Sequence, residues 1–478
     1  MEVRSSEYLQ RTRELLKKLV ERLQEDYAYA SVLGMDNRAR QYSIRSTGIT
    51  AGPSPRFTSR GFVARVRDER GYAEYSFNHI DEDAVEEIAR IFREELIPLG
   101  SKVLESGTFS SMERKAPEEE AMTLRKSTEY EIWPYDFGDE KIFEVLKGIR
   151  EQAKAYDPRI LDCGASYVFQ EIHKIFISGK KDLEQNLLWS SGSVNTMAPK
   201  GQEIVMSFQG YSGLVGAELL ETMDKDVENV AKTSIELLSA EAMVPGEYDC
   251  VCTPSVTGMI VHEAFGHGVE MDMFVKDRAL AKHFIGEYVA SPLVTMHDGA
   301  AVMQETGSYF FDDDGNIAKD TVIIDKGILK TGMIDELSAE VLDIPTTGNG
   351  RRESYERKAY TRMTNTYFEG GTDSVEDMIA SIDYGFLLDQ PTSGMEDPKN
   401  WGIQCMVNFA REIRDGKLTG KIFSPIVLTG YVPDLLKSIT MMSPDVELEG
   451  GGMCGKGYKE WVKVSDGGPY IKARIRLG

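Results

Sequence analysis

His262, Glu263 and His267 bring two imidazoles and one carboxylate together within six consecutive positions of an apolar-flanked segment. Two neutral imidazoles can bind a borderline-soft cation such as zinc, and a carboxylate beside one of them can take a proton from a water that the metal activates. These residue types at this spacing indicate metal-dependent hydrolysis. The structural alternative is a buried helix on which the two histidines are hydrogen-bonded core residues.

The spacing of this motif predicts a distorted helix. The pattern is His-Glu-x-x-x-His, one residue longer than the zinc-binding pattern His-Glu-x-x-His. On a regular α-helix, five positions of about 100° each leave the two rings roughly 140° apart, which is too far for one ion. A π-type bulge or a break at Gly266 would align them, since glycine tolerates unusual backbone conformations and bulges are common at functional sites.

Such a site needs a third metal ligand. Suitable donors are Glu270, Asp272, His283, His297 and a cysteine from elsewhere in the chain. The residue types alone leave this choice open. Glu270 follows His267 by three positions, so on a continuing helix its carboxylate would instead lie near that imidazole and orient it.

Three blocks of the sequence resemble one enzyme family. Val261–Glu270, Arg362–Tyr367 and Met453–Gly457 occur in the same order as blocks of the TldD/PmbA metallopeptidases, specifically of the metal-binding TldD-type branch. The blocks lie across the C-terminal half of the chain, and the resemblance is diffuse before residue 240.

The resemblance implies a complete ligand set. By it, His262, His267 and Cys454 bind the metal, and Glu263 is the general base. Two imidazoles and one thiolate suit Zn²⁺ and leave one coordination position open for water. We therefore expect one zinc ion per chain.

Other residues of the blocks are candidates for orienting the ligands or binding substrate. Arg362, Asn365 and Tyr367 carry donors that could hold a peptide backbone or a developing oxyanion, and the resemblance implies that they line the cleft. Lys456 stands two positions after Cys454, where its charge could lower the pKa of that thiol. The structural alternatives are outward-facing polar residues on a strand and a surface lysine.

Two positions depart from the family's pattern. Met271 stands where the family usually has a glycine, and Phe368–Gly371 replaces the more usual Pro-Gly turn. We expect the first to change how closely a substrate approaches and the second to change the shape of the loop.

Length and charge limit the class of protein. The chain has 478 residues, enough for two or three domains, and its 55 basic and 78 acidic residues give a net charge of −23. An acidic surface repels phosphate backbones, so we expect no nucleic-acid partner. The sequence shows no run of about eighteen apolar residues and no apolar leader, so we expect no membrane association and a cytoplasmic location.

The pattern of elements predicts an α+β protein of two domains. Residues 1–245 indicate a mixed α/β domain that opens with an amphipathic helix capped by Ser5 or Ser6. A sub-boundary is placed near 101–124, the stretch with the weakest periodicity.

The second predicted domain covers residues 246–478 and is mostly antiparallel β. It follows a helix predicted over 218–243 that ends at Pro245–Gly246. Asp415–Gly416 between two alternating runs indicates a hairpin turn. The resemblance implies a closed, barrel-like sheet that carries the metal-binding helix.

We predict a zinc-dependent peptidase that hydrolyses extended or unstructured peptides, with Glu263 moving a proton from water and then to the leaving amine. The resemblance implies a dimer, formed with a second copy of the chain or with a metal-free sister subunit. Two alternatives remain: a non-catalytic binding or scaffold subunit of such a dimer, and a metal-dependent hydrolase of small amides.

Overall fold

The protein combines one large N-terminal sheet with a C-terminal barrel and a second sheet. The structure, a computed structural model, describes residues 1–69, 71–99, 117–301, 304–450, 452–456 and 460–478. None of the helices in these ranges has both the length and the apolar character that a membrane span requires.

An eight-stranded sheet forms the N-terminal half. Its strands are β1 Tyr29–Arg45, β2 Gly48–Pro53, β3 Ser59–Asp68, β4 Gly71–Phe77, β5 Met122–Ser127, β6 Asp162–Ser178, β7 Lys181–Lys200 and β8 Glu203–Gly213. The spatial order is β4-β3-β1-β6-β7-β5, with β2 beside β1 and β8 beside β7. All neighbours are antiparallel except β5 and β7.

The two faces of this sheet have different partners. Val32 and Tyr42 of β1 point to the helix-covered face, where they pack in apolar clusters with the N-terminal helices. Leu33 points to the other face and packs with Phe311 of the C-terminal half, because successive side chains of a strand alternate. The helices are α1 Glu7–Gln24, α2 Glu82–Ile91 with a π-helical continuation Phe92–Leu96, α3 Pro134–Phe137, α4 Asp139–Tyr156 and α5 Leu219–Glu236.

The C-terminal half contains short helices between many strands. Its helices are α6 Pro254–Met259, α7 Asp272–Val275, α8 Glu336–Leu342, α9 Val375–Ala380 and α10 Val432–Lys437. Its strands are β9 Gly246–Cys252, β10 Met296–Gly299, β11 Asp320–Asp325, β12 Ile328–Leu329, β13 Gly350–Arg351, β14 Tyr360–Thr361, β15 Asn365–Phe368, β16 Tyr384–Asp397, β17 Gly402–Arg414, β18 Lys417–Phe423, β19 Ile426–Tyr431, β20 Met441–Met442, β21 Glu447–Glu449, β22 Met453–Cys454, β23 Val462–Lys463, β24 Ser465–Gly468 and β25 Ile471–Leu477.

Five of these strands close into a barrel in the order β16-β9-β25-β19-β17, because β16 pairs with both β9 and β17. The barrel is antiparallel except between β9 and β16. The helical segment after β9 packs on it, with Ile260 and Phe265 in the same apolar core as Leu388 and Trp401. The predicted α+β fold with a barrel-like C-terminal sheet is confirmed.

The C-terminal half also contains a second sheet, and an ion-pair network joins this half to the N-terminal sheet. The sheet has the order β12-β11-β10-β15-β24-β21. Arg65 of β3 lies 2.9 Å from both Glu74 and Glu336, and 2.5 Å from Asp314. Arg352 pairs with the same Glu74 at 2.9 Å. Because these charges are buried and mutually paired, the network ties the two halves together.

Two local predictions are confirmed. Ser6 caps α1 by accepting a hydrogen bond from the backbone N–H of Leu9 at 3.2 Å. Asp415 and Gly416 form the turn between β17 and β18, and both have positive φ angles, 50° and 73°, as a tight hairpin turn requires.

Other boundaries differ from expectation. The helix predicted over 218–243 ends earlier, at Glu236, because the chain becomes extended at Ala240 and the N–H of Glu241 bonds to the carbonyl of Ile422 at 2.9 Å. The sub-boundary predicted near 101–124 lies mostly outside the described residues, and β5 begins at Met122. The domain boundary at 245/246 stays a prediction.

Candidate metal centre

The predicted helix distortion at the histidine motif is confirmed. Helix α6 runs into a π-helix at Ile260–Gly266, followed by a 3-10 turn at His267–Val269. A π-helix closes its hydrogen bonds five residues apart, so it brings positions i and i+5 to the same side. The rings of His262 and His267 consequently lie 5.2 Å apart.

Cys454 lies beside the two histidines. The Sγ atom of Cys454 is 3.4 Å from Nε2 of His267, and one ligand atom from each of the three residues lies within 4.8 Å of the others. Two donors about 2.0–2.3 Å from one ion at a tetrahedral angle are themselves about 3.5 Å apart. The three side chains therefore fit a single ion, and an imidazole–imidazole–thiolate set is one that zinc favours.

The three groups shift each other's pKa. Burial lowers the pKa of His262, but the Cys454 thiolate and two nearby carboxylates raise it to about 9. Burial also lowers the pKa of His267, yet Cys454 and then Glu270 hold it well above its ordinary value. Burial raises the pKa of the Cys454 thiol, but the two imidazoles bring it well below its usual range. The thiolate is the form of cysteine that binds metal.

Glu270 lies behind His267, on the ring nitrogen that faces away from the thiol. Its Oε2 is 3.0 Å from Nδ1 of His267 and 3.1 Å from Nζ of Lys456. Burial raises the pKa of Glu270, but Lys456 and His267 lower it below its ordinary range. An ionised carboxylate at this position fixes the tautomer and the orientation of a ligand imidazole.

Lys456 and Arg362 position the ligands from behind. The Lys456 ammonium donates to Asp272 at 2.6 Å, so it contacts the carboxylates of both Asp272 and Glu270. Arg362 donates to the backbone carbonyl of Cys454 at 2.7 Å, and its Nε lies 3.5 Å from Glu270. The guanidinium thereby links the cysteine strand to the carboxylate behind His267.

Glu263 stands on the open side of the cluster. Its Oε2 is 4.0 Å from Nε2 of His267, and its side chain is 26% exposed, whereas that of His262 is 4% exposed. The side chain packs on Gly394 of β16, where an added Cβ would lie 2.6 Å from Glu263 Cγ. The carboxylate is thus held next to the ligands while it remains accessible to solvent.

Two further carboxylates, Asp466 and Glu396, border the centre and were missed by the sequence analysis. Asp466 of β24 has its Oδ2 3.9 Å from Nδ1 of His262, and burial raises its pKa to about 6. Glu396 of β16 accepts a hydrogen bond from the backbone N–H of Gly268 at 2.9 Å. Neither residue belongs to a motif with a recognisable spacing, so no local signal marked them.

Asn365 and Tyr367 have their contacts with residues other than the candidate metal ligands. The amide of Asn365 donates to Gly299 O at 2.9 Å and to Ser308 Oγ at 2.7 Å, so both of its N–H bonds are engaged. The ring of Tyr367 stacks on His297 with centroids 5.2 Å apart. Their predicted contact with substrate stays a prediction.

The other third-ligand candidates are placed elsewhere. His297 bonds to Asp320 at 2.9 Å and to Glu369 at 2.8 Å, and His283 is exposed. Asp272 is paired with Lys456. Within the described ranges, His262, His267 and Cys454 form the only group of three such side chains that could hold an ion.

The two departures from the family's pattern have contacts with other parts of the C-terminal half. Met271 is 6% exposed and packs over Gly332, while its backbone N–H bonds to Met333 O at 2.9 Å. The backbone N–H of Gly371, at the end of the second departure, donates to the carbonyl of Ser443 at 2.7 Å. The expectation that Met271 changes how closely a substrate approaches stays a prediction.

The chain is similar to curated metallopeptidases. The profile of the PmbA/TldA metallopeptidase C-terminal domain matches residues 245–475. A metalloprotease TldD homolog of Haemophilus influenzae is 32% identical over 343 residues, which cover 70% of each chain. A zinc metalloprotease TldD homolog of Saccharolobus solfataricus is 27% identical over 345 residues, covering 71% of this chain and 76% of that one. In the match to a Buchnera aphidicola TldD homolog, at 34% identity over 236 residues, the chain spans 48% of the relative's length.

Solved structures share the fold over nearly the whole chain. A Thermotoga maritima protein gives a TM-score of 0.76 at 16% identity, covering 98% of this chain and 100% of that one. TldE from Thermococcus kodakarensis gives 0.68 at 17% identity, covering 96% and 99%. Taken with the Haemophilus match and the domain profile, the chain belongs to the TldD/PmbA family of metallopeptidases.

Proposed function

We propose that this protein is a zinc-dependent peptidase that hydrolyses extended or unstructured peptides. His262, His267 and Cys454 hold the ion, one per chain, and Glu263 is the general base. The observation that carries the proposal is the 3.4 Å distance from Cys454 Sγ to His267 Nε2, with the three ligand atoms within 4.8 Å of one another. The zinc metalloprotease name of the Saccharolobus relative supports the choice of metal.

Each side chain has a chemical task in this proposal. When bound, the ion supplies Lewis acidity towards a peptide carbonyl and a water. Glu263, with its carboxylate 4.0 Å from His267 Nε2 and open to solvent, takes a proton from water and passes it to the leaving amine. Glu270 holds the imidazole of His267 in its ligating orientation through a 3.0 Å hydrogen bond, and Asp466 places a carboxylate 3.9 Å from Nδ1 of His262.

The barrel strand beside Glu263 supports extended peptides as the substrate class. Strand β16 pairs with β9 only from Gly385 to Leu388, whereas its pairing with β17 continues to Asp397. From Gln390 to Asp397, β16 therefore has a strand partner on one side only among the described residues. An extended peptide can pair with such an edge through its backbone, with little demand on its sequence.

The experiment compares the purified protein with Glu263→Gln. We expect about one zinc per chain in both, cleavage of an unfolded protein such as reduced casein by the wild type, and a loss of rate of at least about 100-fold in the variant. Glu412→Gln is the matched control, since Glu412 is a buried carboxylate at the far end of β17. Unchanged cleavage by Glu263→Gln would show that the assigned base is wrong.

The same samples test the two rival functions. A non-catalytic scaffold subunit would contain no zinc after gentle purification and would leave casein intact. A hydrolase of small amides would cleave such amides with a higher kcat/KM than unfolded peptides.

We also propose that the protein is cytoplasmic and acts as a dimer, with itself or with a metal-free sister subunit. The family membership supports this assembly. Light scattering of the recombinant chain, whose mass is 53.5 kDa, distinguishes the forms. A mass of about twice this value indicates a self-dimer, and a monomer that gains a co-purifying partner in its source cells indicates a sister subunit.

A further inference from the structure

A cavity lies between the N-terminal sheet and the C-terminal half, and its lining includes none of the candidate metal ligands. Its volume is about 310 Å³, at the small end of ligand pockets. In the β22–β23 pair, Met453 stands opposite Lys463 and Cys454 opposite Val462. Met453, Val462 and Lys463 line the cavity, whereas the Sγ atom of Cys454 lies against His267.

The cavity is basic although the protein as a whole is strongly acidic. Its lining includes six cations, Arg56, Lys174, Arg351, Arg352, Arg357 and Lys463, and four carboxylates, Asp312, Asp313, Glu353 and Glu356. Two of those carboxylates are already engaged: Asp313 pairs with Lys174, and Asp312 accepts backbone N–H groups. The net charge of the chain is −23, so a basic cavity is unlike its surroundings.

Lys174 pairs with Asp313 and Arg352 with Glu74, whereas the other four cations have no acidic partner within 4.0 Å in the part of the chain that the structure describes. Arg357 is exposed, and the remaining three have other contacts. Lys463 donates to the amide oxygen of Gln170 and lies 4.5 Å from the ring centroid of Trp189. Arg351 donates to the carbonyl of Met363 at 2.6 Å. Arg56 lies 5.6 Å from the ring of Trp461. Carbonyl and ring contacts orient these cations but leave their charge uncompensated.

The cations of the cavity repel one another across the boundary between the N-terminal and C-terminal halves. Burial, together with the nearby charges of Arg351, Lys174 and Arg56, lowers the pKa of Lys463 to about 7. Burial also lowers the pKa of Arg351. Arg56 and Lys174 belong to the N-terminal half, whereas Arg351 and Lys463 belong to the C-terminal half. An anion between them would replace this repulsion by attraction on both sides of the boundary.

We propose that this cavity is a binding site for a small oxyanion, a carboxylate or phosphate group, held by Lys463, Arg351 and Arg56. Arginine and lysine N–H groups are the usual partners of both anions. The rings of Phe57, Trp461 and Tyr309 accommodate an apolar body attached to the anion. The site is separate from the metal centre and does not depend on the proposed peptidase activity.

The test measures binding to the intact protein by two readouts. Inorganic phosphate, trialanine and trialanine amide are added at equal ionic strength, set with sodium chloride. We expect a saturable rise in melting temperature, because a ligand that binds the folded state stabilises it, and a saturable change in the fluorescence of Trp189 and Trp461. A response to phosphate identifies a phosphate site, and a response to trialanine but not to its amide identifies a carboxylate site.

Variants locate the binding. Lys463→Met and Arg56→Gln should each weaken it at least about tenfold, and Arg56 is exposed, so its replacement leaves the core intact. Lys421→Met, an exposed lysine on β18, should bind as the wild type does. The proposal is overturned if no anion acts beyond the sodium chloride control, or if both cavity variants bind as tightly as the wild type.

Discussion

Gly394 of β16 lies directly against the side chain of Glu263: a Cβ built on Gly394 would be 2.6 Å from Glu263 Cγ and 2.7 Å from its Cβ. The barrel strand and the π-helix can approach this closely only because position 394 has no side chain. The position of the Glu263 carboxylate next to the candidate metal ligands thus depends on Gly394, which is 131 positions further along the chain.

Gly394→Ala is expected to displace Glu263 and lower peptide cleavage by about tenfold or more, while the zinc content stays near one per chain. The neighbouring Glu263 Cβ is attached to a packed helix, so it cannot move aside freely. Gly402→Ala is the matched control, because Gly402 lies on the paired strand with open space around its Cβ position. Equal activity of the two variants would show that the contact with Gly394 does not position the base.

Cys454→Ser is expected to lose most of the zinc, since a serine hydroxyl is a much poorer ligand than a thiolate. Metal content is measured by mass spectrometry after gel filtration. Cys163→Ser, which changes a buried cysteine in the N-terminal core, should keep about one zinc per chain. Full zinc retention by Cys454→Ser would exclude the cysteine from the ligand set.

Glu270→Gln keeps the shape of the side chain but removes the charge behind His267. Losing this partner of a ligand imidazole typically costs about 10- to 100-fold in metal affinity. Competition with a chelator measures the zinc dissociation constant. Glu412→Gln, the same change at a buried site elsewhere, should leave it unchanged.

Lys456→Met is expected to destabilise the fold by about 3–5 kcal/mol, because Glu270 and Asp272 are buried and would lose their shared cation. Urea unfolding measures the change. The double variant Lys456→Met with Asp272→Asn should recover part of the lost free energy of unfolding. If it is no more stable than Lys456→Met alone, the ion pair between Lys456 and Asp272 does not contribute to stability.

His297 is expected to make stability depend on pH. Hydrogen bonding to Asp320 raises its pKa above the ordinary 6.5, burial opposes this shift, and Glu369 adds to it. A raised pKa in the folded state means that the protonated ring contributes stability below about pH 6.5, and that this contribution is lost as the pH rises through the folded-state pKa.

The urea midpoint of His297→Gln should therefore fall well below that of the wild type at pH 6, and the difference should shrink at alkaline pH. His79→Gln is the control, because the His79 side chain is 75% exposed. A difference that grows with pH would contradict the assigned ion pairs.

Much of the chemistry of this protein was readable from local sequence. The spacing from His262 to His267 with Gly266 between them predicted both a metal site and a distorted helix, since ring directions follow from residues per turn. Ser6 and Asp415–Gly416 predicted a cap and a hairpin turn for the same reason: each depends on hydrogen bonds and φ angles within a few residues.

Tertiary structure decided the surroundings of the metal centre. Asp466 reaches His262 through the register of β24 against β15. Gly394 and Glu396 reach the π-helix through the closure of β16 onto β17, and the register of β22 against β23 places Lys463 opposite Met453 at the basic cavity. A shift of one residue in any of these registers would turn the side chain to the opposite face. Such pairings join residues far apart in the chain, so the sequence determined the two candidate histidines of the motif, while the assembled sheets determined what stands next to them.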